Sequence, residues 1–139
     1  MNSTCRKGVS VRRISVGCGI AVLSICLFAS AATAARTVRV GPKANGSTVT
    51  FRVGDTLVVS LPGNATTGYA WRVRLLDQIV LKVARVTYVA RKTGTIGAGG
   101  TYVFRFRAVA AGKARMKLGY AQSGGMRPAK TFALVVVVR

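Results

Sequence analysis

Phe104-Arg105-Phe106-Arg107-Ala108 and, a few residues on, Lys113-Ala114-Arg115-Met116-Lys117-Leu118 decide the fold. In both stretches apolar and basic side chains alternate, a period of two that suits a strand and not a helix. One face of such a segment meets a core and the other meets water, as in a half-buried antiparallel strand. Arg72 and Arg74, interleaved with Trp71, Val73 and Leu75, repeat the pattern. Outward Lys and Arg also discourage edge-to-edge pairing. Val135 to Val138 is continuously apolar instead, as expected of a strand well covered on both faces.

Working outward, residue 37 onward is β in character throughout. Short runs rich in Val, Thr, Phe and Tyr are separated by Gly, Pro, Asn and Asp. Strands are expected near 37–40, 47–53, 56–61, 69–75, 79–90, 101–109, 112–120 and 131–138. No segment has a helical period and no repeat appears. The expected fold is all-β, an immunoglobulin-like antiparallel β-sandwich of seven to eight strands. A closed barrel is the alternative. Trp71, the only Trp, is expected in the core of this scaffold.

Residues 1–34 read as a signal peptide. Arg6, Lys7, Arg12 and Arg13 precede an apolar stretch from Ile14 to Ala31, and Ala32-Thr33-Ala34 has the small-x-small form of a cleavage site. The alternative is an uncleaved anchor, since the stretch is about long enough to span a bilayer. Membrane attachment is expected only in that case, and the localisation is otherwise periplasmic or secreted. Residues 35–139 then form one domain, enough for a single core. All three cysteines (Cys5, Cys18, Cys26) fall in the leader, so no disulfide can staple the domain.

The full chain carries 22 Lys and Arg against 2 acidic residues, a net charge of +20. Losing the four basic residues of the leader leaves 18 − 2 = +16. The chain has no His, and Asp55 and Asp77 are its only side-chain carboxylates. General acid–base chemistry and nucleophilic triads need a base beside the nucleophile, and zinc needs several His or Cys ligands. The domain is therefore expected to be no enzyme, with no cofactor and no metal.

One turn carries a sharper signal. Asn64-Ala65-Thr66-Thr67-Gly68 runs into Tyr69 and Trp71. Asn64 can hold the bend as an Asx-turn, and the two threonines are stiff at χ1. This segment closely resembles the first binding loop of the chagasin family, protein inhibitors of papain-like cysteine peptidases. There Asn-Pro-Thr-Thr-Gly precedes an aromatic, and a Trp follows two residues later. Every position matches except the Pro, which is Ala65.

Connections in an antiparallel sandwich alternate between its ends, so the loops 62–68, 91–100 and 121–130 share one rim. The second holds Gly97-Ala98-Gly99-Gly100 before Thr101-Tyr102, as chagasin-like inhibitors hold Gly-x-Gly-Gly before Thr-Tyr. It is no nucleotide fingerprint, because no helix follows it. In the third the family carries Arg-Pro-aromatic just after the preceding strand. Here Arg127-Pro128 comes later, with Ala129 in the aromatic's place. The pair is either that motif displaced or the lead-in to the last strand.

The resemblance implies a monomeric wedge whose three loops enter the cleft of a papain-like cysteine peptidase. It assigns the contact to Asn64, Ala65, Thr66, Thr67, Gly68 and Tyr69, to Gly97, Gly99 and Gly100, and to Arg127 and Pro128. The first loop would lie over the catalytic cysteine and histidine, and the inhibition would be reversible. Ala65 and the missing aromatic together imply an affinity lower by on the order of a hundredfold. Two other readings are a scaffold that has lost inhibition, and an exported domain that binds polyanions (anionic glycan, lipid headgroup or nucleic acid) through its charge. Specific nucleic-acid binding is not expected, since Phe and Tyr form no exposed stacking row.

Overall fold

The computed structural model describes residues 34–93, 95 and 97–139. Apart from Ala34, the expected leader lies outside the described residues. The strands are β1 (Thr37–Val40), β2 (Thr48–Phe51), β3 (Thr56–Gly63), β4 (Tyr69–Leu76), β5 (Leu81–Ala90), β6 (Gly100–Ala108), β7 (Gly112–Gln122) and β8 (Lys130–Val138). They form two four-stranded sheets, ordered β1-β3-β6-β5 and β2-β8-β7-β4. The sheets do not close on each other, so the barrel alternative falls.

The expectation of a wholly antiparallel sandwich needs one correction. The chain reverses at every connection, so neighbours that are both odd or both even in number must run the same way. β1 beside β3 and β2 beside β8 are therefore parallel. The remaining ladders, β3–β6, β5–β6, β4–β7 and β7–β8, are antiparallel.

The alternating pattern places the core between the sheets. Leu57, Val59 and Leu61 of β3 and Phe104 and Phe106 of β6 meet Met116 and Leu118 of β7 and Phe132, Leu134 and Val136 of β8. Each such side chain contributes roughly 1.5–3 kcal/mol relative to exposure. On β4 the expected alternation fails after Val73. A bulge at Arg74 shifts the register, so Leu75 pairs with Lys117 on the outer face and is 51% exposed. Leu76 packs against the core in its place. One unpaired residue is enough to swap the faces of all that follow. On β8, which is flanked by β2 and β7, Val136 and Val138 are buried but Val135 and Val137 are only half-buried. The expected cover on both faces is thus complete on one side only.

At the end where β2 gives way to β3, Asp55 ties the chain together. Its carboxylate accepts hydrogen bonds from the backbone N–H of Arg36 (2.8 Å) and of Arg52 (2.9 Å). These two donors, Arg52 foremost, hold its pKa below the ordinary carboxylate value.

Candidate functional site

The strand directions put the connections β1–β2, β3–β4, β5–β6 and β7–β8 at one end of the sandwich. The three expected loops are among them. The fourth, between β1 and β2, had no motif to announce it and folds as a 3-10 turn over Pro42–Ala44. It is fastened to β8, with Gly46 N–H donating to the Ala133 carbonyl and Ala133 N–H donating to Asn45 Oδ1.

The β3–β4 loop is built by Asn64. Its Oδ1 accepts from the Thr66 backbone N–H at 3.1 Å and from the Thr66 hydroxyl at 2.7 Å. That caps a 3-10 turn over Ala65–Thr67, which Gly68 ends at φ 77°, in the left-handed region that favours glycine. The Thr67 hydroxyl donates to the Asn64 carbonyl at 2.7 Å. Ala65, Thr66, Thr67 and Gly68 are all exposed, so the crest is free while its base is bonded. Few rotamers are left for a partner to freeze.

Asn64 also joins two loops. Its Nδ2 donates to the Gly97 carbonyl at 2.8 Å, across the gap to the β5–β6 loop. Its backbone N–H donates to the Tyr120 hydroxyl at 2.8 Å, and that hydroxyl faces the Asn64 carbonyl at 3.3 Å. The Tyr120 ring in turn stacks on Tyr69 (centroids 5.4 Å apart) and leans on Trp71 (5.3 Å). Nothing local in the sequence marked Tyr120, because its partners lie on other strands. Trp71 is core, as expected: it is 6% exposed and its indole N–H donates to the Pro62 carbonyl. Burial, and then the nearby Tyr120 and Tyr88, raise the pKa of Tyr102, whose hydroxyl donates to the Tyr69 carbonyl.

Not every residue assigned to the contact reaches the surface. Gly97 is exposed, whereas Gly99 is half-buried against the Gly63 carbonyl. Gly100 is buried within β6, where an added Cβ would stand 2.3 Å from the Val89 carbonyl oxygen and 2.7 Å from the Tyr88 ring. A side chain there would meet both the neighbouring backbone and the Tyr88 ring, so Gly100 lies beneath the surface of the rim. Tyr69 is half-buried, with its ring committed to Tyr120.

β7 runs on to Gln122 and turns tightly, with Gly125 N–H bonded to the Gln122 carbonyl. Ala129 N–H donates to the Tyr120 carbonyl at 2.8 Å, so Arg127-Pro128 stands at the foot of the loop leading into β8. Arg127 is exposed, and Pro128 lies half-buried over Gly119. Just ahead of them Met126 is 92% exposed, the most exposed large apolar side chain among the described residues. An isolated Met in a loop gives no sequence signal. Its position becomes meaningful only with the rim assembled around it.

Residues 50–136 match the model of the chagasin family peptidase inhibitors. Chagasin of Trypanosoma cruzi is 33% identical over 88 residues, which are 60% of this chain and 76% of its own. The structure of the cysteine protease inhibitor EhICP2 from Entamoeba histolytica aligns with a TM-score of 0.67 at 22% identity, covering 75% of this chain and 96% of that one. At that identity the likeness is one of fold. The solution structure of amebosin aligns with a TM-score of 0.62 at 30% identity, over 75% of this chain and 98% of its own. Three quarters of this chain therefore matches nearly the whole of two solved proteins, so the sandwich is a folding unit in itself.

Proposed function

The chain belongs to the chagasin family of peptidase inhibitors, and on that premise we propose that its loop rim occludes the cleft of a papain-like cysteine peptidase. One observation carries the reading: Asn64 fixes an exposed Thr66-Thr67 crest and bonds it to the neighbouring loop at Gly97. Such a crest can fill a cleft with little loss of freedom and needs no reactive group. Thr66, Thr67 and Gly68 form the centre of the contact, Gly97 one flank, and Met126 with Arg127 the other. The protein acts as a monomer and performs no catalysis. It acts outside the cytoplasm, after removal of residues 1–34.

Titration of residues 35–139 against papain with a fluorogenic peptide tests the proposal. Reversible, substrate-competitive inhibition is expected. Thr67→Arg, which places a long side chain at the crest, raises the inhibition constant by on the order of thirtyfold or more. Absence of inhibition at tens of micromolar by a folded domain would overturn the reading and leave a scaffold without its activity.

A further inference from the structure

The outer face of the β1-β3-β6-β5 sheet places cations directly opposite cations. Lys82 of β5 faces Arg107 of β6, and Arg85 faces Arg105. Arg105 in turn faces Val58 of β3, which faces Arg39 of β1. All five basic residues are exposed. Val58, between two arginines and outside the core cluster, is nonetheless 6% exposed, consistent with arginine stems lying over it. Opposed like charges destabilise a ladder. Asp55 and Asp77 lie in connections at the Lys82–Arg107 end of these strands, but neither stands opposite a cation in the ladders, and the Asp55 carboxylate is bonded to the backbone N–H groups of Arg36 and Arg52.

The other sheet is as basic but is arranged differently. Its Lys113, Arg115 and Lys117 face Val137, Val135 and Ala133 on one side. On the other, Lys117 faces Leu75 and Arg72 faces Gly119. Each cation there stands opposite a neutral residue, the spacing expected of a face that only meets water. Edge protection explains Lys82 and Arg85, since β5 is an edge strand. It does not explain placing Arg107 and Arg105 opposite them on an interior strand.

We propose that this face is a docking surface for an anionic lipid bilayer, independent of the leader and of the inhibitor reading. The five cations spread in two dimensions: those of β5 and β6 lie about 4.8 Å apart across strands and roughly 6.8 Å apart along them, and Arg39 stands two strand spacings, about 9.6 Å, from Arg105. A planar field of headgroups meets such an array everywhere, whereas a linear polyanion meets one row. Of the aromatics of these strands, Tyr102, Phe104 and Phe106 are buried and Tyr88 is half-buried against the core with its ring on Tyr102, so no platform is left on the outer face for stacking a base or a sugar ring. With this face on a membrane the strands lie in its plane, and the rim stays open sideways to a peptidase.

Flotation of residues 35–139 with vesicles of equal parts phosphatidylcholine and phosphatidylglycerol tests this, with pure phosphatidylcholine as control. Binding to the mixed vesicles only is expected, weakening as salt is raised. Each cation near the surface accounts for about fivefold in partition. Arg85→Gln with Arg105→Gln therefore weakens binding about thirtyfold, leaves papain inhibition intact and raises the thermal midpoint by removing an opposed pair. Arg72→Gln with Arg115→Gln removes the same charge from the other sheet and has a much smaller effect. Equal loss in the two double variants would assign the binding to net charge and overturn the proposal. Retention on heparin or DNA in moderate salt without vesicle binding would overturn it too, in favour of a linear polyanion.

Discussion

Ala65 is the residue at which this chain departs from the Asn-Pro-Thr-Thr-Gly pattern, and the structure is ready to take the proline. Ala65 is the first residue of a 3-10 turn, where the N–H has no partner within the turn and proline's φ is pre-set. Asn64 before it sits at φ −127° and ψ 107°, the extended conformation that a residue preceding proline takes. Ala65→Pro therefore stiffens the free loop without breaking a bond. It should stabilise the domain by about 0.4–1 kcal/mol and tighten papain inhibition by roughly two- to fivefold, read by thermal melts and inhibitor titration. Met126 makes the complementary case. With 92% of its surface exposed it adds nothing to the core, so Met126→Ala should leave the thermal midpoint unchanged. If Met126 supplies the apolar contact that Ala129 cannot, the same variant should weaken inhibition about fivefold.

At the scale of elements, β-rich runs separated by turn residues located all eight strands, and a period of two gave the faces of β6 and β7, because a half-buried strand must alternate. The ends moved by at most two residues, at the ends of β2, β3 and β7 and at the start of β5. The bulge at Arg74 was invisible, since one extra residue changes no composition. The β1–β2 loop was invisible for a related reason: Pro42-Lys43-Ala44 reads as any turn until β8 is seen to hold it. The β3–β4 loop was legible because Asn64 makes its defining bonds within three residues. Tyr120, which steadies the same loop, was not legible because its bonds cross from another strand. Gly100 is the sharpest example, since sequence cannot tell a glycine at a crest from one beneath a ring. Gly100→Ala should destabilise the domain by about 1–3 kcal/mol, a fall of several degrees in thermal midpoint. A glycine acting only by contact would leave the melt unchanged.

At the scale of the whole molecule, charge makes an unusual prediction about pH. The chain has no His, and its two side-chain carboxylates lie at the end away from the binding rim. With no carboxylate or imidazole in its rim loops, the inhibitor brings no side-chain titration to the contact between about pH 5 and 8, and any side-chain pH dependence there belongs to the peptidase. Stability should be flat over the same range for the same reason. Most proteins unfold in acid as many carboxylates take up protons at once. Here protonating both side-chain carboxylates moves the formal charge of residues 35–139 only from +16 to +16 + 2 = +18, so added self-repulsion is slight. Asp55 is then the main sensor. Arg52 and Arg36 backbone donors lower its pKa from the ordinary 3.8. A carboxyl lowered by folding adds stability in full above the unfolded value. That stability drains as pH falls from about 4 through the lower folded value. The thermal midpoint should therefore hold steady from pH 8 to about 5 and decline only below about 4. Asp55→Asn, which keeps one acceptor for the two N–H donors, should start lower at neutral pH and lose most of the acid decline. A midpoint that fell steeply between pH 6 and 5, or an Asp55→Asn curve parallel to the parent below pH 4, would show that another group governs acid stability.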